Sequence, residues 1–441
     1  MGERSAWLVT AGAVALAWAT ATGTVFQYDD FRVVVDNPDV HSWAAWLASM
    51  PGIRPLTKAS FTLNWTLSPA AAGFVAFNAM CHAASALLVL ALVRRWLPAL
   101  APGMHRPGLA ALVAALVFAL HPAQTEAVTW IAGRSVALSG CLYLAALLAW
   151  ERAGDAPRPG ARIALSAALY AGALAARETA WTLPFAVVLV ETARGESFRS
   201  GCRRALPLFG VLAAALAAMA ASPVYRRLLA TSLDVRDPVA NLFAQVEGIS
   251  YLVTHPLLTL RVNFDPDLAA PATADAQWWL AATLIAVAIG SGFAQLRRRP
   301  WLGLAPLWFL LHLVPTNGPI ARYDLANDRQ LYLALVGPAL VAGIVVARMR
   351  PAVVGGIAAA ALVAALGIAT FARNADYASE IALWEATARA SPAKARPWNN
   401  VGWAHQQAGD LVRARAAYER ALELDPFYFR ARGNLDALPP R

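Results

Sequence analysis

The chain of 441 residues is 59% hydrophobic and only 15% charged, whereas a soluble globular domain carries roughly 25% charged residues. Its mean hydropathy of +0.48 and its repeated Ala/Leu/Val runs exclude an ordinary soluble enzyme and indicate a polytopic membrane protein. The net charge of +10 is compatible with a nucleic-acid ligand, but the basic residues are distributed by membrane topology, so no nucleic-acid partner is expected. Cys81, Cys141 and Cys202 lack a CxxC spacing and predict neither a metal cluster nor a disulfide framework.

Eleven apolar runs predict an all-α membrane body over residues 1–372. The first run, AWLVTAGAVALAWATATGTVF, has a signal peptide as its rival interpretation, because Arg4 and ATA could flank and end such a segment. Its length of about 20 residues favours a retained helix. The predicted spans are residues 6–25, 73–93, 108–120, 135–150, 161–175, 180–193, 205–222, 278–295, 301–314, 331–347 and 352–372.

The connections between these runs alternate in charge. One set holds 16 Lys/Arg in 53 residues, whereas the opposite set holds 11 in 136 residues. The basic set is expected on the cytoplasmic side, which places the N-terminus inside and the C-terminal domain outside. Loops 26–72 and 223–277 are then extracytoplasmic. The Ala/Arg-rich composition favours a bacterial inner membrane, with a periplasmic C-terminal domain. The basic set comprises residues 1–5, 94–107, 151–162, 192–204, 296–300 and 348–351.

Asp29 and Asp30 follow the first span, in the stretch VFQYDDFRVVVDNPDV. Adjacent carboxylates repel each other and are costly to desolvate, so the pair either lies idle in water or acts on a substrate at the membrane surface. The charge pattern of the connections predicts that the pair lies on the extracytoplasmic side. A carboxylate placed there can deprotonate an acceptor hydroxyl. A divalent cation is compatible with the pair, but no HxxxH or HExxH spacing supports a metal site.

More charged and polar residues are predicted at the outer ends of the spans. Charges near hydrocarbon are functional-site hypotheses by default, with interfacial snorkelling or structural ion pairing as the alternative. Because arginine suits bidentate phosphate binding, a carboxylate base with several arginines fits a substrate activated by a lipid phosphate. These residues are Arg54, Lys58, His121, Glu126, Arg134, Arg177, Glu178, Asn317, Arg322, Asp324, Asp328 and Arg329.

Residues 373–441 form a second predicted domain with a helical period. The stretch PWNNVGWAHQQAGDLVRARAAYERALELDP has the tetratricopeptide pattern, and Trp384 and Pro392 precede Tyr418 and Pro426 by the repeat period of 34 residues. About one and a half repeats and a capping helix cannot bury their faces alone, so they are expected to lean on the membrane body or on a partner. A docking surface for a protein substrate or partner is favoured over a merely stabilising segment.

The order of motifs resembles the transmembrane-and-tetratricopeptide O-mannosyltransferases and their bacterial relatives, of the glycosyltransferase C superfamily. The matching motifs are YDD, NP, RPLT, HPAQTEAVTWIAGR, RE, NG…DRQLYL and the repeats. The resemblance implies a glycosyltransferase C fold and inverting transfer of one sugar, mannose or another hexose. The donor would be a polyprenyl-phosphate sugar, and the acceptor a protein or glycan hydroxyl on the extracytoplasmic face. No cofactor is implied beyond this lipid-linked substrate.

The resemblance also implies roles for individual residues. Asp29 or Asp30 would be the general base, with Asp29 preferred. Arg134, Arg177 and Arg329 are candidates for holding the donor phosphate, whereas His121, Glu126, Arg54 and Glu178 would lie near the acceptor or shape the site. The sequence departs from the family in having Arg177-Glu178 where Lys-Glu is frequent, and in its short repeat array.

Two other functions are compatible with the same residues. A ligase or flippase-like protein would handle a preassembled lipid-linked glycan. A transporter or scaffold would lie among the membrane lipids without catalysing a reaction. Its repeats would recruit a periplasmic partner. A transporter should carry mid-span charges and inverted repeats, whereas here the charges concentrate at the ends of the spans.

Overall fold

The computed structural model describes residues 2–50, 52–271 and 273–440, and these residues form helices and connecting loops without a strand. Each of the predicted apolar runs contains helix, although in the first run the α-helix ends at Ala17. The α-helices are α1 Glu3–Ala17, α2 Trp43–Ala48, α3 Pro55–Leu67, α4 Ala71–Leu100, α5 Pro107–Leu120, α6 Thr125–Val128, α7 Arg134–Ala153, α8 Gly160–Ala176, α9 Leu183–Ala193, α10 Phe198–Arg204, α11 Leu206–Ala221, α12 Pro223–Val235, α13 Pro238–Leu252, α14 Ala276–Gln295, α15 Pro300–Leu313, α16 Leu331–Ala334, α17 Val336–Arg348, α18 Ala352–Asp376, α19 Glu380–Ala390, α20 Ala395–Gln407, α21 Leu411–Leu424 and α22 Phe429–Asp436.

Shorter helical turns of 3₁₀ or π type connect several of these helices. They are Ala21–Gly23, Phe31–Val35, Pro38–Val40, Pro122–Gln124, Ile131–Gly133, Glu178–Thr182, Val253–Thr259 and Asp328–Gln330. Many of them lie in the segments predicted to face outward. Such irregular backbone is tolerated at membrane depth only where protein or a cavity covers it, so these turns mark the end of the bundle where a site can be built.

Within the described residues, five helices are long and apolar enough to cross a membrane: residues Glu3–Gly23, Ala71–Leu100, Ile131–Ala153, Ala276–Gln295 and Ala352–Asp376. Three further helix pairs are bent by 49°, 61° and 60° at short breaks and raise the number to eight if each pair is one span. Two shorter apolar helices, Gly160–Ala176 and Pro300–Leu313, bring no further span by these criteria. The all-helical membrane architecture is confirmed, whereas the predicted number of eleven spans is not.

The centre of the bundle is the packing of α5 against α4 and α17. Eleven consecutive residues of α5, from Ala110 to Leu120, are buried, so this helix is enclosed by protein on all sides. Gly343 of α17 lies so close to α5 that an added Cβ would sit 2.2 Å from the Ala110 carbonyl oxygen. Small residues of this kind let helix backbones approach closely within a membrane, and they fix the helix ends that carry the polar residues.

The C-terminal helices form a repeat unit that packs on the membrane body. Tyr418 of α21 is fully buried and faces Gly402 of α20, where an added Cβ would lie 2.5 Å from the tyrosine ring. Gly409 takes the left-handed φ of 82° in the turn between these helices, a conformation that glycine adopts without steric cost. On the other side of the unit, Trp384 packs edge-to-face with Phe264 of the second long loop, at 5.5 Å between ring centroids.

An ion-pair network joins the start of α20 to the outer loops. Arg396 donates through Nε to Asp265 Oδ2 at 2.6 Å and through Nη2 to Asp324 Oδ1 at 2.6 Å. Lys394 Nζ pairs with Asp265 Oδ1 at 2.7 Å. Ser391 also donates to the Asp265 carbonyl at 2.9 Å. The Asp265 side chain is only 4% exposed, so these ion pairs are buried contacts that hold the repeat unit against the membrane body together with the packing of Trp384 on Phe264.

Replacing Arg396 with Gln should loosen this attachment. Breaking a buried ion pair costs about 3–5 kcal/mol when one charge is left behind, and we expect about 3 kcal/mol because Lys394 still faces Asp265. Hydrogen exchange of α19–α22 should accelerate in the variant. Arg389→Gln is the matched control, since Arg389 is 70% exposed and its pair with Glu385 is worth only about 0.3–0.5 kcal/mol. Equal exchange in the two variants would contradict a clamping role for Arg396.

Candidate active site

The two adjacent carboxylates have different surroundings. Asp30 is fully buried, its Oδ1 accepts from the Ala132 backbone N–H at 2.7 Å, and its Oδ2 accepts from the Gln27 N–H at 3.1 Å. The Asp29 side chain is 36% exposed, and its ion pair with the exposed Arg32 is long, at 3.7 Å. Asp30 therefore ties the first outer loop to the start of the Ile131–Gly133 turn, while Asp29 keeps a carboxylate that a substrate can reach.

The loop that carries the acidic pair is seated beneath the repeat unit. Tyr28 has a left-handed φ of 53°, which is uncommon for a residue other than glycine. Its N–H donates to Glu380 at 3.3 Å, and its ring packs edge-to-face on Trp384 with centroids 5.0 Å apart. Gln27 Nε2 donates to the Tyr377 carbonyl at 3.0 Å. The backbone turn that directs Asp29 outward is thus fixed by contacts from α19 and the residues before it.

Burial raises the pKa of Asp30 to about 8, although the two backbone donors oppose the shift. Since an unfolded aspartate titrates near 3.9, the folded chain holds a proton between about pH 4 and pH 8 that the unfolded chain releases. Stability should therefore fall as the pH rises through this window, by up to roughly 4 kcal/mol over three pH units. Asp30→Asn, which cannot titrate, should lose less in melting temperature between pH 5 and pH 8 than the wild type. An equal change in melting temperature between pH 5 and pH 8 in the two proteins would contradict a contribution of Asp30 to this pH dependence.

Arg134 is satisfied by the protein itself. Its guanidinium donates to Asn78 Oδ1 at 2.9 Å, to the Ser60 carbonyl at 2.9 Å and to the Phe74 carbonyl at 2.8 Å. It also lies 4.5 Å from the centre of the Phe61 ring and is fully buried. The structure therefore gives this arginine a role in joining α3, α4 and α7, and its predicted contact with a donor phosphate stays a prediction.

Arg54 and Glu178 pair with each other at the outer side of α3 and α8. The Arg54 Nε donates to Glu178 Oε1 at 3.2 Å and to Oε2 at 3.0 Å, and Nη2 lies 2.9 Å from Oε2. The hydroxyl of Tyr225, from the second long loop, donates to Glu178 Oε1 at 3.0 Å. Although burial opposes ionisation, the Arg54 charge holds the pKa of Glu178 below its usual range. The two residues were predicted to shape the site, and their pair joins both long loops to the bundle.

Arg177 and Arg329 line the same cavity, of about 40 Å³, with His312 and Thr316. Arg177 donates from Nη1 to Ser135 Oγ at 2.8 Å, and this is the one hydrogen bond that its guanidinium makes within the described part of the chain. Burial, followed by the positive charges of neighbouring arginines, lowers the pKa of Arg177 well below its usual range. A cation held among other cations in a small cavity favours an anionic ligand.

Arg329 is bound to Glu126 across the outer end of the bundle. Its Nη1 lies 2.5 Å from Glu126 Oε1, and its backbone N–H donates to Glu126 Oε2 at 2.9 Å. The guanidinium also lies 5.1 Å from the centre of the Trp130 ring. The Glu126 side chain is 2% exposed, so this carboxylate compensates Arg329 and orients it towards the cavity that Arg177 shares.

His121 lies in the break between α5 and the Pro122–Gln124 turn. Its Nδ1 accepts from the Ala123 N–H at 3.2 Å and so caps that turn. The ring is 2% exposed, and Nε2 has no hydrogen-bond partner within the described residues. The structure thus accounts for one ring nitrogen, and the predicted position of His121 near the acceptor is not tested.

Arg322 was one of the charged residues predicted at the ends of the spans but received no individual role, although it lies in the segment that also carries Arg329. Its guanidinium donates no hydrogen bond to another residue in the described ranges, and its carbonyl accepts from Arg236 at 2.8 Å. Burial and the neighbouring Arg329 lower its pKa to about 10. The positive charges of Arg54, Arg322 and Arg329 all act on Arg177. The spacing of Arg322 seven residues before Arg329 was the available signal for this cluster.

No group of three or more His, Cys, Asp or Glu side chains suited to a metal ion occurs among residues 2–50, 52–271 and 273–440. The acidic pair does not converge on one point, because Asp30 binds two backbone amides while Asp29 turns towards Arg32. The side chains that this arrangement offers to a substrate are the partly exposed carboxylate of Asp29 and the arginines of the bundle end.

These features define a class: helical membrane proteins with charged residues gathered at one end of the bundle, beside a tetratricopeptide unit. The tetratricopeptide repeat family matches residues 395–428. The mouse protein O-mannosyl-transferase TMTC3 is 31% identical over 144 residues, which cover 29% of this chain and 15% of the relative. The fruit-fly protein O-mannosyl-transferase Tmtc1 is 34% identical over 163 residues, covering 32% and 18%. The fly protein Tmtc2 is 29% identical over 198 residues, covering 40% and 20%.

The matched segment thus spans a fifth or less of these relatives' length. No solved structure matches the chain. The resemblance predicted from the motifs is confirmed, because the matched segment is similar to the protein O-mannosyl-transferases and the C-terminal domain matches the tetratricopeptide repeat.

Proposed function

We propose that the protein is a membrane glycosyltransferase that moves a single hexose from a polyprenyl phosphate to a protein or glycan hydroxyl on the extracytoplasmic face. The observation that carries this proposal is the cavity lined by both Arg177 and Arg329, which suits a phosphate leaving group. The partly exposed carboxylate of Asp29 supplies the second requirement, a base that solvent and substrate can reach. The names of the relatives, protein O-mannosyl-transferases, support the same class of reaction.

In the proposed mechanism, Asp29 takes the proton from the acceptor hydroxyl. The acceptor oxygen attacks the anomeric carbon as the bond from that carbon to the phosphate oxygen breaks, which inverts the configuration. Arg177 and Arg329 offset the charge that builds up on the departing phosphate. Asp30 holds the loop that presents Asp29, through the Ala132 amide, and Glu126 orients Arg329.

The same proposal includes an orientation and a division of the chain. Residues 1–372 are the membrane domain, with its N-terminus in the cytoplasm, and residues 373–441 lie in the periplasm of a bacterial cell. The density of Lys/Arg in the alternate connections supports this orientation. Tyr28 of the first long loop and Phe264 of the second both pack on Trp384 of the repeat unit, which supports a location of both loops and the repeats on the same side of the membrane. The acceptor would then reach Asp29 beside the repeats.

Sugar transfer by the purified protein tests the proposal. Wild-type protein in detergent would receive polyprenyl-phosphate mannose, polyprenyl-phosphate glucose or related donors together with periplasmic extract, and products would be identified by mass. Addition of one hexose that depends on Asp29 supports the proposal. Addition of a preassembled glycan would indicate a ligase instead. Failure of all these lipid donors to bind would favour a scaffold that recruits partners through its repeats.

A further inference from the structure

An apolar groove of about 540 Å³ opens between α9, α10, α11, α14 and α15. Its volume falls in the range of roughly 300–1,000 Å³ that is usual for ligand pockets. The groove begins near Phe185 at the start of α9 and ends near Thr192 and Arg297, at the arginine-rich end of the bundle. Further lining residues are Val188, Phe209, Phe293, Leu307 and Leu311.

The arginine-rich end of this groove carries positive charge without matching carboxylates. Arg297 lines the groove and donates to the Glu196 carbonyl at 3.1 Å. The two nearby carboxylates, Glu196 and Glu191, face Arg204 at 3.1 Å and 3.9 Å. Four more exposed arginines stand on the same two segments, α10 and the turn between α14 and α15, and none of them forms an ion pair within the described residues. They are Arg199, Arg203, Arg298 and Arg299.

We propose that this groove binds an anionic phospholipid, with an acyl chain along the apolar wall and the head-group phosphate at Arg297 and Arg203. Hydrocarbon tails surround the whole bundle, so an apolar groove alone gives no preference for one lipid. Basic residues beside a groove between membrane helices select a negatively charged head group. The choice of a phospholipid over the polyprenyl-phosphate donor rests on the proposed function, whereas the groove and its arginines do not.

The polyprenyl-phosphate donor is a less suitable occupant of this groove. Its phosphate is assigned to the cavity of Arg177 and Arg329, and Arg177 precedes α9 while Arg297 lies beside the residues that follow it. A head group held at Arg297 is therefore at the opposite end of α9 from that cavity. The groove and the cavity can be occupied by different lipids.

Native mass spectrometry of the detergent-purified protein tests the site, with phosphatidylglycerol and phosphatidylcholine of equal chain length as probes. We expect wild-type protein to retain phosphatidylglycerol in preference to phosphatidylcholine. Arg203→Gln/Arg297→Gln should bind phosphatidylglycerol roughly twenty-five-fold more weakly, at about fivefold for each guanidinium removed. Equal retention of the two lipids by the wild type would overturn the proposal.

Two further variants separate this site from the general charge of the surface. Arg152→Gln/Arg158→Gln removes two exposed arginines from the same end of the bundle but away from the groove, and it should leave the affinity unchanged. An equal loss in this control would overturn a specific site. Cys202→Trp fills the groove from α10 and leaves the charges in place, so it should also displace the lipid. Displacement of phosphatidylglycerol by equimolar polyprenyl phosphate would assign the groove to the donor and overturn the proposal.

Discussion

Asp29→Asn should abolish most sugar transfer and leave the fold intact. A positioned general base contributes about 10²–10⁴-fold to such a reaction, and asparagine cannot accept the acceptor's proton. The substitution costs little in stability, because the Asp29 side chain is partly exposed and its ion pair with Arg32 is 3.7 Å long. Transfer rates at saturating donor and melting temperatures of the purified variants would test both parts.

The same loop provides the controls for this prediction. Asp36→Asn removes an exposed carboxylate seven residues further on and should retain full activity. Asp30→Asn keeps a side-chain oxygen for the Ala132 amide but replaces the oxygen that accepts from Gln27. It should reduce the rate by less than Asp29→Asn, through displacement of the loop. If Asp30→Asn were the inactive variant and Asp29→Asn the active one, the base would have to be reassigned.

The helices could be predicted from the sequence because each rests on a local pattern, and the acidic pair could be singled out as a candidate for the same reason. Long apolar runs become helices wherever they lie, and adjacent carboxylates are conspicuous at a membrane surface. The distinction between Asp29 and Asp30 could not be predicted, since it depends on the amide of Ala132, about a hundred residues away. Arg134 illustrates the same limit, because its partners are carbonyl oxygens of Ser60 and Phe74.

The number of spans could not be predicted because hydropathy does not record bends. The apolar run that forms α5 continues through His121 and Pro122 into a second, short helix. This second helix is bent by 49° relative to α5. Whether such a pair is one broken span or a helix and a re-entrant turn depends on the neighbours that satisfy the exposed backbone. Two side chains satisfy part of the backbone at this bend. The His121 ring accepts from the Ala123 N–H, and the Gln124 side chain donates to the Phe118 carbonyl at 3.1 Å.

The arginine cluster was visible in the sequence as separate charges at the ends of spans, but its internal differences arise from packing. Arg134 is held by three protein acceptors, whereas Arg177 donates to the single hydroxyl of Ser135. Arg329 is intermediate, because Glu126 compensates its charge. A bound phosphate would best satisfy an arginine that has unused hydrogen-bond donors and lies among other cations. This condition distinguishes Arg177 from Arg134 and Arg329.

Arg177→Gln should therefore lower the transfer rate by about 10²–10³-fold, the usual loss when a preorganised group that stabilises developing charge is removed. The fold should survive, because the variant removes a positive charge from a cluster that includes Arg54, Arg322 and Arg329. Arg177→Lys should recover part of the rate, since a lysine supplies the charge without the bidentate geometry. Single-turnover rates and donor affinity would separate the two effects.

Ser135→Ala is the matched control, because it removes the hydroxyl that orients Arg177 and keeps the guanidinium. It should reduce the rate far less than Arg177→Gln. Arg329→Gln, in contrast, should lose stability as well as activity, since Glu126 would remain buried without its cation, at a cost of about 3–5 kcal/mol. Full activity in Arg177→Gln with a normal melting temperature would show that this cavity does not bind the phosphate. Arginines outside the cavity would then have to offset the charge on the leaving group, and Arg54 and Arg322 would be the next to be tested.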